Sequence, residues 1–304
     1  MIKRTLYFGN PAYLSLKLGQ MVIKIPSLLG DDNVDIKTLP IEDIGIVILD
    51  NRQITVTQGL LEVLMDNNCA LISCDSKCMP TGLMLSLEGN SIQSERFRVQ
   101  IDASLPLKKN LWQQTVECKI RNQGSVLRYA TGEANKDMSF WAKKVRSGDP
   151  DNMEGRAASY YWKHLFPDTY YFVRERGSSG VNALLNYGYA ILRAIIARAI
   201  VGVGMSPTLG IHHHNRYNAY CLADDIMEPY RPYIDRLVLD ICRQKGMDAS
   251  LDKEIKAKLL TIATEDVRID EVTSPLMIAA SKTAASLYKC FCGELRKISY
   301  PILE

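Results

Sequence analysis

The side chains best suited to chemistry lie close together between residues 209 and 232. They are three histidines, three carboxylates and two arginines: His212, His213, His214, Asp224, Asp225, Glu228, Arg216 and Arg231. Imidazole nitrogens and carboxylate oxygens are ligands of divalent metals, and guanidinium groups suit phosphate. Such a mixture is costly to bury and is not needed for folding alone. The region therefore predicts a metal site beside a phosphate-bearing substrate.

Two further motifs stand upstream of this region. Residues 154–162 read Glu-Gly-Arg-Ala-Ala-Ser-Tyr-Tyr-Trp, and residues 182–189 read Asn-Ala-Leu-Leu-Asn-Tyr-Gly-Tyr. Together with Gly-Ile-His-His at 210–213 and Asp-Ile-Met-Glu-Pro-Tyr-Arg-Pro at 225–232, they resemble the CRISPR-associated integrases, which insert DNA fragments as new spacers. Two details, His-His-His-Asn at 212–215 and Met-Glu-Pro-Tyr-Arg-Pro at 227–232, look more like the type II branch of that family.

The resemblance implies a metal-dependent DNA endonuclease and integrase of the α+β class. Its metal ligands would be Glu154, His213 and Glu228, because the family pattern Gly-x-x-His selects His213 and the family's metal carboxylate matches Glu228. The implied ion is Mg²⁺ or Mn²⁺. The resemblance also implies a homodimer that assembles with a small ferredoxin-like CRISPR adaptation protein and acts on double-stranded DNA fragments and repeat DNA.

Glu154 has an ordinary structural interpretation as well. Asp151 precedes it by three residues, as the N-cap of a capping box would. Glu154 nevertheless lines up with Ala158, Tyr161 and Leu165 at helical spacing, so it projects along an apolar stripe. A carboxylate on a core-facing side needs a partner. The stripe alone leaves the capping role open, and the family resemblance implies that Glu154 is a metal ligand.

Among the three histidines, spacing alone does not choose a ligand. His212 and His214 are expected either to be solvated in a turn or to contact DNA. Asp225 and Glu228 share a face if the segment is helical, and Asp225 is either a second ligand or a partner that supports the ligands. Asp224 is expected to be an ordinary surface charge.

Pro229 makes Glu228 a helix-end or kink position, where a break in the backbone could expose the carboxylate. Arg231 could bind a phosphate or orient Glu228 through an ion pair, and the bracketing prolines favour the ion pair because they restrict the backbone. Two asparagines one turn apart in an apolar segment, Asn182 and Asn186, are expected to make buried hydrogen bonds.

The net charge of +3 excludes little, but its distribution is informative. Residues 119–198 carry 13 basic and 7 acidic side chains, whereas residues 1–100 carry 9 and 11. The densest basic cluster is Lys143, Lys144 and Arg146, which with Arg231 is predicted to contact DNA phosphates. A solvated helix face with chance asymmetry is the alternative.

Eight scattered cysteines in a chain of 304 residues without an export signal favour reduced thiols over disulfides. Neither Cys74 and Cys78 nor Cys290 and Cys292 has the spacing of a zinc pair, so core packing is the expected role. The apolar stretch from residue 190 to 205 contains two arginines and is too short to cross a bilayer. A cytoplasmic protein without a membrane segment is predicted.

Two domains are predicted, a small β-rich domain over residues 1–88 and a larger all-helical catalytic domain over 89–304, because the β pattern stops at a polar, turn-forming tetrapeptide. Strands are expected at 4–8, 13–18, 21–25, 44–49, 54–56 and 70–73, with a hairpin joining the first two. A short helix is expected at 58–65, capped by Thr57, and buried helices at 183–200 and up to Gly246.

Three functions are compatible with these residues. The first is a metal-dependent integrase that inserts short DNA fragments by 3′-hydroxyl transesterification. The second is a hydrolytic nuclease that uses the same site on branched or single-stranded DNA, with water as the nucleophile. The third is a non-catalytic DNA-binding scaffold in which the motifs are structural.

Overall fold

A computed structural model describes residues 3–26, 35–166, 172–175 and 179–304. The chain divides into two compact units, Met1–Ser91 and Ile92–Glu304, and the predicted boundary after residue 88 lies three residues before this division. The first unit is mainly β and the second largely helical, so the α+β class is confirmed.

The first unit contains two four-stranded sheets and a helix. Its elements are β1 (Arg4–Phe8), β2 (Ala12–Lys17), β3 (Gln20–Ile25), β4 (Asp35–Pro40), β5 (Ile44–Leu49), β6 (Ile54–Val56), α1 (Gln58–Asp66), β7 (Ala70–Cys74) and β8 (Pro80–Met84). The strand orders are β1-β5-β7-β8 and β4-β3-β2-β6. Every strand predicted for this unit is present, and the sequence pattern missed β4 and β8.

Strand β5 organises the first sheet because parallel neighbours, β1 and β7, pair with both of its edges. A strand covered on both faces needs an uninterrupted apolar run, and the run in β5 is fully buried at Ile44, Ile46 and Val47. The same core includes Leu14 of β2 and Leu60 of α1, so the two sheets and the helix share one apolar cluster.

The predicted hairpin between β1 and β2 is wrong. The two strands lie in different sheets, with β1 parallel to β5 and β2 paired to β3 and β6. The segment Gly9-Asn10-Pro11 therefore carries the chain from one sheet to the other. The turn residues were correctly located, but strand pairing depends on β5, which is distant in sequence and offers a buried edge.

The second unit is built from nine labelled helices and two short strands in its described residues. They are α2 (Gln93–Asp102), α3 (Leu105–Thr131), α4 (Lys136–Lys144), α5 (Met153–Leu165), α6 (Val181–Gly202), α7 (Cys221–Met227), α8 (Arg231–Lys245), α9 (Lys253–Leu260), β9 (Asp266–Ile269), β10 (Val272–Pro275) and α10 (Leu276–Phe291). Helix α3 packs against α4, α5 and α8, and α6 packs against α7, α8 and α10.

Helix α6 is the core of this unit. It is long and apolar enough to cross a membrane, yet most of its side chains are buried inside the protein, as in a core helix. Gly188 lets α8 come close, because a Cβ there would lie 2.6 Å from the side chain of Ile234. At its start, Asn182 and Asn186 both accept hydrogen bonds from Arg174, at 2.9 and 2.7 Å, which confirms their predicted hydrogen-bonding role.

The prediction of an all-helical second unit is wrong in one place. Strands β9 and β10 form an antiparallel hairpin, with Val272 opposite Ile269. Its turn residues, Asp270 and Glu271, both have positive φ, at 50° and 63°. Aspartate is common at the first position of such a turn, but glycine is usual at the second, and Glu271 in its place weakened the hairpin signal.

Candidate active site

The long helix α3 supplies the floor of the site. Ser104 caps its start by accepting a hydrogen bond from the Leu107 N–H, and Gly132 ends it with φ of 79°. Its buried stripe includes Trp112, Thr115, Lys119 and Asn122, which recur at helical spacing. Three of these side chains touch the predicted metal-binding residues or the segment that carries them.

Lys119 is the residue that the sequence analysis missed. Its ammonium lies 2.7 Å from Glu154 Oε1 and 2.6 Å from Glu228 Oε2, so one cation joins two carboxylates from distant parts of the chain. The whole residue is only 8% exposed. A signal was present in the sequence: a lysine between Val116 and Ile120 in an apolar helical stripe must find a counterion.

Glu154 lies in the first turn of α5, on the side that faces α3. The helix is capped by Asn152, whose side chain accepts a hydrogen bond from the Gly155 N–H at 3.1 Å. The Asp149 carboxylate accepts from the N–H groups of Met153 and Glu154, at 2.8 and 2.9 Å. These bonds satisfy the free amides of the helix start and hold the Glu154 backbone in place.

The predicted N-cap, Asp151, is wrong. Asp151 instead forms a two-pronged ion pair with Arg146, at 2.7 and 2.6 Å. The cap moves to Asn152 because this residue adopts left-handed backbone angles, φ 51° and ψ 47°, which asparagine tolerates. Gly155 makes room for the cap, since a Cβ there would lie 2.6 Å from the Asn152 side chain.

Glu228 lies at a break in the helix, as predicted, but it is buried. Helix α7 ends at Met227, residues Glu228–Tyr230 form a 3₁₀ turn, and α8 begins at Arg231. The expectation that the break would expose Glu228 is wrong, because the residue is only 5% exposed. The reason is Asn122 of α3, which donates to the Pro229 carbonyl at 2.8 Å and ties the turn to the helix.

Two cations flank the Glu228 carboxylate. Arg231 Nε lies 2.9 Å from Oε1, which is the ion pair favoured by the sequence, and Lys119 lies beside Oε2. Both contacts are ion pairs, and the buried Oε2 accepts no hydrogen bond from any other described group. The Lys119 ammonium therefore occupies the ligand position at Oε2.

Burial would raise the pKa of Glu228, but Arg231 and Lys119 outweigh burial and the pKa is lowered. For Lys119, burial would lower the pKa, and the carboxylates of Glu228 and Glu154 outweigh it, so the pKa is raised. Both shifts favour the charged forms. The centre is therefore an ionic cluster rather than a set of neutral groups.

His213 is held by Asp225. The Nδ1 atom of His213 lies 2.5 Å from Asp225 Oδ1, and this hydrogen bond is the main cause of the raised pKa of the imidazole. Asp225 is fully buried and also accepts the backbone N–H groups of Ile211, His212 and His213. Its oxygens are thus engaged by the histidine loop, and Nε2 is the ring nitrogen of His213 that Asp225 leaves open.

Gly210 is required for this loop. A Cβ there would lie 2.3 Å from the His213 carbonyl oxygen and 2.9 Å from Asp225 Oδ2. The first glycine of the Gly-x-x-His pattern therefore allows the backbone to fold over the Asp225 carboxylate.

The neighbouring histidines differ from each other. The His212 ring stacks on Trp112 of α3, with centroids 4.1 Å apart and planes 2° apart, and burial lowers its pKa. Both His212 and His214 are exposed residues, but the Trp112 ring covers one face of the His212 ring. The stack anchors the histidine loop to the same helix that carries Lys119.

The interpretation of Asp224 as a surface charge is wrong. Asp224 is 8% exposed and pairs with Arg193 of α6, whose Nε lies 2.7 Å from Oδ1. It also accepts a hydrogen bond from Asn218 at 2.7 Å. In the sequence, Arg193 was visible only as a charged residue within an apolar stretch. The spacing of the residues did not indicate that Asp224 is its partner.

A polar cluster lies behind Arg231. The Arg231 guanidinium lies over the Tyr189 ring, 4.7 Å from its centroid, and the Tyr189 hydroxyl donates to Asp235 at 2.5 Å. Tyr161 of α5 donates to the other oxygen of Asp235 at 2.9 Å. Burial raises the pKa of Asp235 to about 6. The cluster connects α5, α6 and α8 beneath the site.

The predicted DNA-contacting cluster lies on the surface. Lys143 and Lys144 are exposed at the end of α4, and Lys144 lies 5.5 Å from the centre of the Phe140 ring. Arg146 is exposed too, but its guanidinium is engaged by Asp151. Of the three side chains, the two lysines are therefore the ones that Asp151 does not engage.

Within the residues that the structure describes, no three histidine, cysteine or acidic side chains are placed to hold a metal ion. The ammonium of Lys119 lies between the two predicted carboxylate ligands instead. The chemistry of the donors still fits a hard or borderline divalent ion: two carboxylates, one with an unsatisfied buried oxygen, and an imidazole fixed through Nδ1. In the part of the chain that the structure describes, the eight cysteines form no disulfide.

A comparison with protein families identifies the family of the chain. The family model described as CRISPR associated protein Cas1 matches residues 6–271. The chain belongs to the Cas1 family. A curated Cas1 family relative, a CRISPR-associated endonuclease from Neisseria meningitidis serogroup C, is 34% identical over 287 residues, which cover 94% of this chain and 91% of that protein. Another, from Francisella tularensis subsp. novicida, is 26% identical and covers 82% of each chain.

Solved structures show the same Cas1 fold. A casposase bound to an integration product superposes with a TM-score of 0.79, at 20% identity, over 98% of this chain and 92% of that one. A Cas1 protein from Thermotoga maritima superposes with a TM-score of 0.76, at 18% identity, over 96% and 98%. A chain of a Cas6-RT-Cas1–Cas2 complex also matches, at 0.76 and 19% identity, with 36% of its length covered. A nuclease or integrase role follows from the family.

Proposed function

We propose that this Cas1 family member is a metal-dependent DNA integrase that inserts short DNA fragments into a CRISPR array. The observation that carries the proposal is the meeting of Glu154 and Glu228 at one cation, the Lys119 ammonium, together with the orientation of His213 by Asp225. The three residues come from α5, the helix break and the histidine loop. The casposase relative bound to an integration product supports the reaction class.

Glu154, Glu228 and His213 would hold Mg²⁺ or Mn²⁺, which would act as a Lewis acid at the attacked phosphate. The residues of the chain perform the positioning. Asp225 holds the imidazole through Nδ1, and Asn122 and Arg231 hold Glu228. Because these contacts hold the donors before the substrate arrives, little reorganisation is needed when it binds.

In the proposed reaction, the 3′-hydroxyl oxygen of the incoming fragment attacks a phosphorus of the target strand. A new phosphorus–oxygen bond forms, and the bond from that phosphorus to the 3′-oxygen of the target breaks. The proton of the attacking hydroxyl is lost and the leaving oxygen gains one, so no external energy source is consumed. The exposed Lys143 and Lys144 would bind the DNA backbone.

The proposed partners are double-stranded DNA fragments, repeat DNA, a second copy of the chain and a small ferredoxin-like CRISPR adaptation protein. The solved complexes of the family, which contain Cas2 or DNA, support this set. The motifs at 212–215 and 227–232 support a type II system, and the family's work on DNA supports a cytoplasmic location.

Hydrolysis of DNA at the same site is a second candidate, favoured by the curated relatives that are named endonucleases. It differs only in the nucleophile. Incubating a fragment labelled at its 3′-end with supercoiled plasmid and Mn²⁺ separates the two. Covalent joining of the label to the plasmid is expected, and nicking of the plasmid without joining would favour the hydrolase.

A further inference from the structure

Lys119 has no role in the proposed chemistry, although it is the most central charge of the site. Its ammonium contacts Glu154 Oε1 and Glu228 Oε2 at 2.7 and 2.6 Å, and its side chain is 11% exposed. The carboxylates come from α5 and from the break after α7, far apart in sequence. Without a cation between them, two carboxylates facing each other in a buried site would repel.

We propose that Lys119 is the resident cation of this site and that it competes directly with the divalent metal. The inference rests on the proposed metal-dependent function. In the metal-free protein the ammonium holds Glu154 and Glu228 at the separation of two ligands. The metal needs the same oxygen atoms, so it must displace the ammonium before it can bind both carboxylates.

The electrostatics of the site require displacement rather than sharing. Arg231 already lies 2.9 Å from the other oxygen of Glu228. With Lys119 in place, the local acidic charge of Glu154 and Glu228 is matched by two basic side chains, and a divalent ion would add uncompensated positive charge in a buried region. Moving Lys119 away halves that excess, from two positive charges to one, because Arg231 stays beside Glu228.

Competition between Lys119 and the metal predicts the direction in which metal affinity changes when Lys119 is replaced. Removing the ammonium should make metal binding tighter, although the variant loses an ion pair and is less stable without metal. A lysine that merely supports the fold would have the opposite effect, because loss of the site's geometry weakens metal binding.

The test uses the full-length protein freed of metal with EDTA, with Mn²⁺ alone as the probe. Binding is measured by calorimetry and by the paramagnetic resonance signal of free Mn²⁺. Lys119→Met, which keeps the length of the side chain, is expected to bind Mn²⁺ at least about tenfold more tightly than the wild type. Lys119→Arg keeps the competing charge and should not bind more tightly. The exposed Lys143→Met is the matched control and should leave affinity unchanged.

Thermal unfolding provides a second readout. Lys119→Met should unfold at a lower temperature than the wild type in EDTA and gain more stability from a given concentration of Mn²⁺. Wild-type affinity, or weaker affinity, in a folded Lys119→Met protein overturns the proposal.

If Lys119→Met does not fold, a measurement on the wild-type protein still tests the proposal. Acetylation of lysines by an amine-reactive reagent, followed by mass spectrometry, should modify Lys119 faster when Mn²⁺ is saturating, because the displaced side chain leaves its buried contacts. The rate at Lys143 is the internal reference. Equal modification of Lys119 with and without Mn²⁺ overturns the proposal.

The outcomes distinguish failure of the Lys119 proposal from failure of the proposed metal-dependent function. If the wild type binds Mn²⁺ and Glu154→Gln does not, the metal site stands whatever Lys119→Met does. If the wild type binds no Mn²⁺ at all, the metal-dependent function and the role of Lys119 both fail.

Discussion

Asp225 accepts a hydrogen bond from Nδ1 of His213 at 2.5 Å while it also binds three backbone N–H groups of the same loop. One buried carboxylate thus fixes both the path of the loop and the orientation of its imidazole. The histidine can use only Nε2 toward a substrate or metal, and Asp225 has no comparable freedom to become a ligand itself.

Replacing Asp225 with asparagine should therefore weaken the site without removing a ligand. The amide presents one oxygen instead of two, so either the backbone amides or His213 Nδ1 loses its acceptor. We expect a 10- to 100-fold loss of Mn²⁺ affinity and of strand transfer, roughly the effect of losing an outer partner. Calorimetry and a plasmid integration assay measure the two losses, and an unchanged affinity would contradict the supporting role.

Glu154→Gln, His213→Ala and Glu228→Gln should each reduce strand transfer at least about a hundredfold, because each removes a proposed ligand. Glutamine is chosen at 228 because its amide oxygen can still accept from Lys119 and Arg231, whereas alanine would remove that acceptor and leave a cavity. His214→Ala, on an exposed side chain, is the matched control and should stay within a few-fold of the wild type. Circular dichroism checks the folds, and near-normal transfer by the three variants would refute the assignment.

Strand transfer should require Mg²⁺ or Mn²⁺ and stop in EDTA, since two carboxylates and one imidazole suit such ions.

Zinc should not be needed for folding. Cys74→Ser and Cys78→Ser should unfold near the wild-type temperature, and elemental analysis of the purified protein should find no stoichiometric zinc. Retention of zinc that these substitutions abolish would contradict the prediction.

Neutralising Lys143 and Lys144 with glutamine should weaken binding to unrelated DNA sequences about equally, because phosphate contacts carry no base information. The slope of log affinity against log salt should fall by about 0.9 for each lost contact. Adding Arg146→Gln should change little more, since Asp151 already engages that side chain. Glutamines at the exposed Lys253 and Lys289 serve as the control pair, and an unaltered slope in the first pair would place the DNA path elsewhere.

Asp235 should make stability depend on pH. Its pKa in the folded protein is about 6, raised by burial from its usual 3.8. A raised acid pKa stabilises the fold below pH 3.8, and this contribution is lost as the pH rises through about 6. The loss is about 3 kcal/mol. Asp235→Asn has no carboxyl group to titrate at this position. The free energy of unfolding of this variant, measured by urea denaturation, should therefore increase relative to that of the wild type between pH 4 and pH 7. A constant difference across that range would refute the shift.

Much of the first unit could be predicted from the sequence because its strands are local patterns. The apolar run of β5 and the alternation in β2 and β3 are visible without any partner. Pairing is not local. The prediction of a hairpin at residues 9–11 was wrong because β1 pairs with β5, about 40 residues later. The turn at Asp270 and Glu271 was missed because glutamate stands where glycine would indicate a positive φ.

The candidate site shows the same division. The sequence by itself determined the residue types, since Glu154, His213 and Glu228 lie in motifs whose order and spacing identify the family. Only the tertiary structure decided that Lys119 joins two of them, that Asp225 supports His213, and that Glu228 is buried. The physical reason is that a charge can be buried only with a counter-charge or a hydrogen-bond partner. These partners meet only when α3, α5 and the histidine loop pack together.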